Sequence, residues 1–344
     1  MKKIIYALLI ILISHIAFAN KQVYVAKKTQ SQKYNYSGIP VLVLHGSSFD
    51  MGYQYGIQFK QELFSVLSIL KDYYIGHKHL TYNALVNHAE LLYNRYPRSF
   101  QTFLQAEAKG SGLRFSDVKI LNAMETLGEI LASQKVPACA FLYMPPTKTI
   151  SGYGIIGRNY DFSAPFDQLA KYLTVVILNQ PNKIATAFIS IAGEVYCPTC
   201  INANGLFMEL NSGSPSGGAA VNLNTQSMLI RMLKTLQDSK SLSEVSSQLN
   251  NVNSDFSFIV NVADKVRPLS FEYSTNSILG MNYYSPDISK AFAVTNFYLD
   301  RIWENRIPNP TDYVTWMGVT RRNNLINLSK QTDKFNIISF QKLM

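Results

Sequence analysis

The chain has 344 residues, a formal charge of +10, 47% hydrophobic residues and 16% charged ones. These proportions exclude a disordered or low-complexity protein and fit a globular one with a large core. The basic excess is scattered over Lys27-Lys28, Lys71 to Lys78 and Arg321-Arg322, in no run of the kind a nucleic-acid groove requires.

Taken in chain order, the first element is an export signal. Lys2 and Lys3 precede an apolar run from Ile4 to Ile13, and Ala17-Phe18-Ala19 forms a small-x-small cleavage site before Asn20. The run is about half the ~20 residues a spanning helix needs. Residues 1–19 are therefore read as a removed signal peptide, with an uncleaved tether as the alternative. The mature protein is expected to be secreted or periplasmic, without an integral membrane span.

A strand over Ile39 to Leu44 leads through Gly46-Ser-Ser into a helix in which Gly52 and Gly56 permit close packing. Apolar spacing then predicts helices through Phe64, Leu67 and Leu70, over 81–95, over 98–109, and from Ser116 onward with Val118, Leu121, Met124 and Leu127 inward. From Cys139 the period becomes that of strands, near 139–145, 153–159, 172–179, 184–191, 195–201 and 205–211. A loop at 213–220 precedes helices at 225–238 and 242–250, the second capped by Ser241 or Ser243. Strands resume at 256–263, 268–274, 278–284 and 290–296, and a last helix covers 316–330. Helices, many strands, two helices and more strands predict stacked sheets covered by helices, not a βαβ sheet. Gly46-Ser-Ser also lacks a nucleotide-binding glycine spacing.

Three cysteines stand in this exported chain. Cys197-Pro-Thr-Cys200 is read as a local disulfide, leaving Cys139 over, with a redox role or unpaired thiols as alternatives. One C-x-x-C without a second pair or clustered histidines is a poor zinc site, so no metal and no cofactor is expected. Cys139 opens one apolar strand, and Arg158-Asn-Tyr-Asp161 closes the next. A hairpin would bring Arg158 and Asp161 back beside the thiol, where a guanidinium favours thiolate and a carboxylate orients an amine.

With these blocks the chain resembles the cysteine branch of the N-terminal-nucleophile (Ntn) hydrolases. That branch holds the choloylglycine hydrolases, meaning bile salt hydrolases and penicillin V acylases, and the acyl-coenzyme A:6-aminopenicillanic acid acyltransferase-like proteins. Gly46-x5-Gly52-x-Gln54-x-Gly56 resembles the entry motif of the acyltransferase-like group. Cys139 with Gly157-Arg158-Asn159-Tyr160-Asp161 resembles the nucleophile hairpin, Asn202-Ala-Asn-Gly-Leu206 leading to Asn211 the next strand pair, and Val294-Thr295-Asn296 the Thr-Asn motif.

The resemblance implies an α+β fold, a four-layer αββα sandwich of two antiparallel sheets between helices. It implies self-cleavage of Ala138–Cys139, releasing a helical segment 20–138 from the nucleophile-bearing segment 139–344, together one domain. Cys139 then attacks with its own α-amine as base, an amine whose ordinary pKa lies near 8. No histidine is needed, and His15, His45, His77, His79 and His88 all precede the nucleophile. Arg158 would stabilise the thiolate or contact substrate, Asp161 would hold the amine, and Asn211 and Asn296 would face the oxyanion. Arg322 is the candidate from the C-terminal helix, with Arg321, Arg306 and Arg301 as rivals.

Three departures stand out. Phe297 follows Asn296 where the acyltransferase-like group carries His, Ala140 follows the nucleophile where Thr or Ser is common, and the tail is short for a terminal strand. The expected activity is hydrolysis of a linear amide in an N-acylated small molecule through a thioester on Cys139. An acyltransferase with an amine or thiol acceptor, or a non-catalytic binding protein on the same fold, are the alternatives. Phe141, Tyr143, Phe162, Phe166 and Tyr196 are expected to line a pocket for a hydrophobic acyl or aryl group.

Overall fold

A hairpin that the hydrophobic pattern does not announce comes first, β1 (Gln32–Tyr36) with β2 (Ile39–His45), turning through Ser37 and Gly38 at positive φ. The computed structural model describes residues 31–131, 138–161, 165–218, 220–222, 224–250, 252–275, 281–284, 287–300, 303 and 313–344. The signal segment 1–19, Phe162, Arg301 and Arg306 lie outside the described residues.

After β2, Gly46 takes a φ of 108° and Ser47 caps α1 (Ser48–Gln58) in a capping box with Asp50. There follow α2 (Lys60–Lys71), a π turn at Asp72–His77, α3 (Tyr82–Tyr93), α4 (Arg98–Ser111), α5 (Phe115–Asn122) and α6 (Met124–Leu131). Helix α5 starts at Phe115, one residue before the expected start, and the Ser116 hydroxyl pairs with Tyr82 Oη at 2.7 Å.

Next come the hairpin β3 (Ala140–Met144) and β4 (Ile155–Asn159), a short α7 (Phe166–Leu169), then β5 (Leu173–Asn179), β6 (Thr186–Ile191), β7 (Thr199–Asn202) and β8 (Phe207–Ser212). The expected loop at 213–220 holds a single turn, α8 (Ser214–Gly217). Helices α9 (Met228–Asp238) and α10 (Leu242–Leu249) follow. Ser241, rather than Ser243, caps α10 by accepting from Glu244 N. The chain continues as β9 (Phe258–Ala263), β10 (Pro268–Tyr273), β11 (Met281–Tyr284), β12 (Phe292–Val294), α11 (Tyr313–Leu328) and α12 (Ile337–Leu343). In place of a terminal strand, α12 is capped by Asn336.

The strands form a nine-stranded sheet, β1-β2-β5-β6-β7-β8-β9-β10-β11, and a three-stranded one, β12-β3-β4. All pairs are antiparallel except β2–β5. That parallel pair departs from the expected antiparallel sheets, and it is possible because helices α1 to α7 and the β3–β4 hairpin intervene between its strands.

Strand parity divides the apolar residues into three cores. On β3, Phe141 and Tyr143 face the large sheet and meet Phe207, Ile259 and Ala263 from β8 and β9. Their neighbours Ala140, Leu142 and Met144 face Leu325 of α11, Phe335 just before α12, and Phe340 within it. The opposite face of the large sheet, with Met208, Leu210, Val260 and Val262, packs on Leu63, Leu104 and Leu121 of the first helices and on Leu233 of α9. The layer order is thus helices, large sheet, small sheet, helices: an αββα sandwich of α+β class. The helices before Ala138 share their core with strands after Cys139, so a cut between those residues would fall within one packed unit. Among the described residues no helix is long and apolar enough to cross a membrane.

Candidate active site

Cys139 is buried one residue before β3. The β3–β4 register sets Ala140 opposite Asn159 and Phe141 opposite Arg158. The ladder continues past Cys139, because Ala138 N donates to Asp161 O at 3.1 Å. Opposed residues of a hairpin point to the same face, so Arg158, like Phe141, is directed at the large sheet. The expected hairpin forms and returns the backbone of Asp161 to that of Ala138, next to Cys139, whereas the Arg158 side chain is spent on the large sheet. Asn159 points the other way and donates to Met344 O at 2.9 Å, tying β4 to the end of the chain.

Arg158 is buried and grips the end of β8. Its Nη1 donates to the Glu209 carboxylate and to Asn211 Oδ1 at 2.8 Å, and its Nη2 donates to Leu210 O at 2.7 Å. Its guanidinium also lies over the Tyr160 ring, 4.8 Å from the centroid. With Glu209 as a buried counter-ion, the Arg158 charge is largely neutralised before any thiolate forms.

Helix α11 supplies a second arginine, and it is Arg321. Its Nη1 donates to Cys139 O at 2.7 Å and its Nη2 to Asn296 Oδ1 at 3.0 Å. Burial pushes its pKa below the ordinary value, while Cys139 and Asp161 pull it back up. Arg322, favoured in the sequence reading, sends its Nε to Ala293 O at 3.0 Å. Asp161 is exposed, and its negative charge works against the lowering of the Arg321 pKa.

The two asparagines are held alike. Asn211 Nδ2 donates to Thr295 O at 3.2 Å and Asn296 Nδ2 donates to Ser212 O at 2.9 Å, a reciprocal pair joining the end of β8 to the end of β12. Each amide oxygen faces an arginine. Because guanidinium only donates, it fixes which end of the amide is oxygen. Each Nδ2 therefore keeps a second N–H beyond the one bonded to a backbone carbonyl. Two oriented amide donors at the ends of facing strands can stabilise an oxyanion.

Behind Arg158 lies an acidic cluster that motif spacing did not reveal. Glu194 accepts from Tyr196 Oη at 2.6 Å and from Ser190 Oγ at 2.7 Å. Burial first, then repulsion from Glu125, pushes its carboxyl up to about 8. Burial pushes Glu125 up to about 7, against hydrogen bonds from Tyr160 and Tyr196 and the Arg158 charge. Tyr160 and Tyr196 are driven well above the usual phenol range, chiefly by burial. Glu209, which motif spacing also misses, carries one signal in the sequence, a charge inside the apolar strand Phe207-Met-Glu209-Leu-Asn211.

Cys197 and Cys200 are joined as a disulfide and buried, their Cα atoms 5.5 Å apart. Among the described residues no three His, Cys, Asp or Glu side chains converge as a metal site. The aromatic pocket expected for an acyl group is not formed as one set. Phe141 and Tyr143 belong to the core between the sheets, whereas Phe166 and Tyr196 belong to the core under the helices.

No protein-family model matches the sequence, and no curated protein matches it. Solved structures do. The Caenorhabditis elegans ortholog of N-acylethanolamine-hydrolyzing acid amidase is 13% identical over 60% of this chain and 85% of its own, with a TM-score of 0.44. A mutant of conjugated bile acid hydrolase from Clostridium perfringens is 12% identical over 60% of this chain and 77% of its own, with a TM-score of 0.40. Penicillin V acylase from Agrobacterium tumefaciens is 10% identical over 61% of this chain and 64% of its own, with a TM-score of 0.27. At this level of likeness the reading of the site rests on its own geometry.

Proposed function

We propose that this protein is an exported cysteine amidohydrolase that cleaves a linear amide of an N-acylated small molecule, with Cys139 as nucleophile. The observation that carries the reading is the pair of arginine-oriented amides, Asn211 and Asn296, beside a buried cysteine whose carbonyl Arg321 holds. Export is inferred from residues 1–19 alone.

In the uncut chain the nitrogen of Cys139 belongs to a peptide bond and has no basic lone pair. Attack of Sγ on the Ala138 carbonyl would move the acyl group from nitrogen to sulfur. Water would then open the thioester, leaving a carboxylate on Ala138 and a free amine on Cys139. That amine takes the thiol proton as Sγ attacks the substrate amide. The oxyanion forms against the spare N–H groups of Asn211 and Asn296, where one such donor is worth about 3 kcal/mol. The proton passes to the leaving amine, the acyl group stays on sulfur, and water releases it as a carboxylate.

Intact-mass and N-terminal analysis of the purified protein is the decisive measurement. Two fragments held together, the heavier one beginning at Cys139, are expected. They should hydrolyse a panel of acyl p-nitroanilides, and Cys139→Ala should remain a single inactive chain. An active protein unbroken through Cys139, or a mutant as active as the wild type, overturns the reading. New amides formed on adding amine acceptors would reassign it to an acyltransferase.

A further inference from the structure

We infer that Glu209 is a positioning residue for this reaction, acting through Arg158 on the orientation of Asn211. The inference rests on the proposed function and names a residue that neither motif nor resemblance assigns. Glu209 is fully buried on β8, two residues before Asn211 and therefore on the same face, toward the small sheet. One carboxylate oxygen takes Arg158 Nη1. The other takes Nδ2 of Asn261, which is buried directly across on β9. The row runs Asn261, Glu209, Arg158, Asn211, and each link is a hydrogen bond between buried side chains.

The physical need for Glu209 follows from the other acceptors of Arg158. Asn211 Oδ1 and Leu210 O are neutral, and neutral acceptors alone do not offset the desolvation of a guanidinium. Without the carboxylate, Arg158 becomes an uncompensated buried cation, free to turn to another anion. The Asn211 amide would then lose the donor that fixes its oxygen. Among the described residues its side chain then keeps the bond to Thr295 O, which does not by itself fix where the second N–H points. Glu209 also neutralises Arg158, leaving Arg321 as the arginine that faces Cys139.

The test is kinetic and uses acyl p-nitroanilides with the full-length protein. Glu209→Gln should lower kcat about 100-fold with KM changed less than about threefold, the signature of a lost transition-state interaction. In an Asn211→Ala background the same change should add little, because both act on one donor. Glu209→Asp keeps the charge and should recover part of the loss. If Glu209→Gln does not fold, the paired change Arg158→Met with Glu209→Leu removes both buried charges, and kcat should fall to the level of Asn211→Ala. A folded Glu209 variant or paired variant with wild-type kcat overturns the inference, as does a Glu209→Gln loss that adds fully to that of Asn211→Ala. A wild type without Cys139-dependent turnover overturns the proposed function itself, and this inference with it.

Discussion

Adjacent arginines on a helix point about 100° apart, so Arg321 and Arg322 cannot serve the same partner. Arg321 bonds the Cys139 carbonyl and the Asn296 amide oxygen at once, a two-pronged contact suited to the guanidinium fork. Arg321→Ala should lower kcat about 100-fold, and Arg321→Lys should recover little because one ammonium cannot reproduce the fork. Arg322→Ala removes the bond to Ala293 O and should change kcat less than Arg321→Ala does. Steady-state kinetics on the three variants check this ranking, and a reversed order would remove Arg321 from the site. The choice between the two was not legible in the sequence, because helix phase is set by docking on the small sheet. The place of Arg158 was legible, since hairpin register follows from strand spacing. Glu209 was not, since its partner lies in the other sheet.

At the scale of elements, the site depends on how closely α1 packs on α4. A Cβ on Gly52 would lie 2.1 Å from Phe103 O, and one on Gly56 would lie 2.3 Å from Glu107 O. The reverse contact exists too, with a Cβ on Gly110 at 2.3 Å from Tyr53 O. These neighbours are backbone, so an added methyl moves a helix rather than a side chain. The α1 end of this pair also anchors β2. Gln54 accepts from His45 N at 3.2 Å and donates to His45 O at 2.9 Å, continuing the strand with a side-chain amide. Gly52→Ala is expected to destabilise the protein by about 2 kcal/mol. The urea midpoint should fall with an unchanged m-value, and an unshifted midpoint would contradict the packing. The small faces of this helix were readable from the glycine spacing. The strand β1 was not, because its alternation is polar and all its side chains are exposed.

Several buried carboxyls are held above their ordinary pKa, Glu107 and Glu272 among them, and two more meet at one seam, where α6 before the proposed cut meets the turn after β6. Glu125 comes from the first, Glu194 and Tyr196 from the second, and Tyr160 from the hairpin end. Tyr55 and Tyr74 also face this charge from α1 and the π turn. Both carboxyls are raised above their unfolded value near 4.3, to about 7 and about 8. Between the unfolded value and those values the native state holds more protons than the unfolded one. Their contribution is therefore fully present at low pH and is lost as pH rises through the native values. The slope is roughly 1.4 kcal/mol per pH unit for each group protonated only in the native state. Other groups act in the same range, among them His45 and His88, whose pKa values burial lowers and whose effect has the opposite sign. A difference between two chains cancels them. Glu194→Gln keeps an acceptor for Tyr196, presents an N–H to the Ser190 hydroxyl in place of an acceptor, and removes the titration. It should leave stability near wild type at pH 5 and become increasingly more stable than wild type from pH 6 to 8. Urea midpoints across that range measure the difference. A constant offset between the two proteins would mean that Glu194 is ionised in the folded state throughout, so that the seam holds its negative charge even at pH 5.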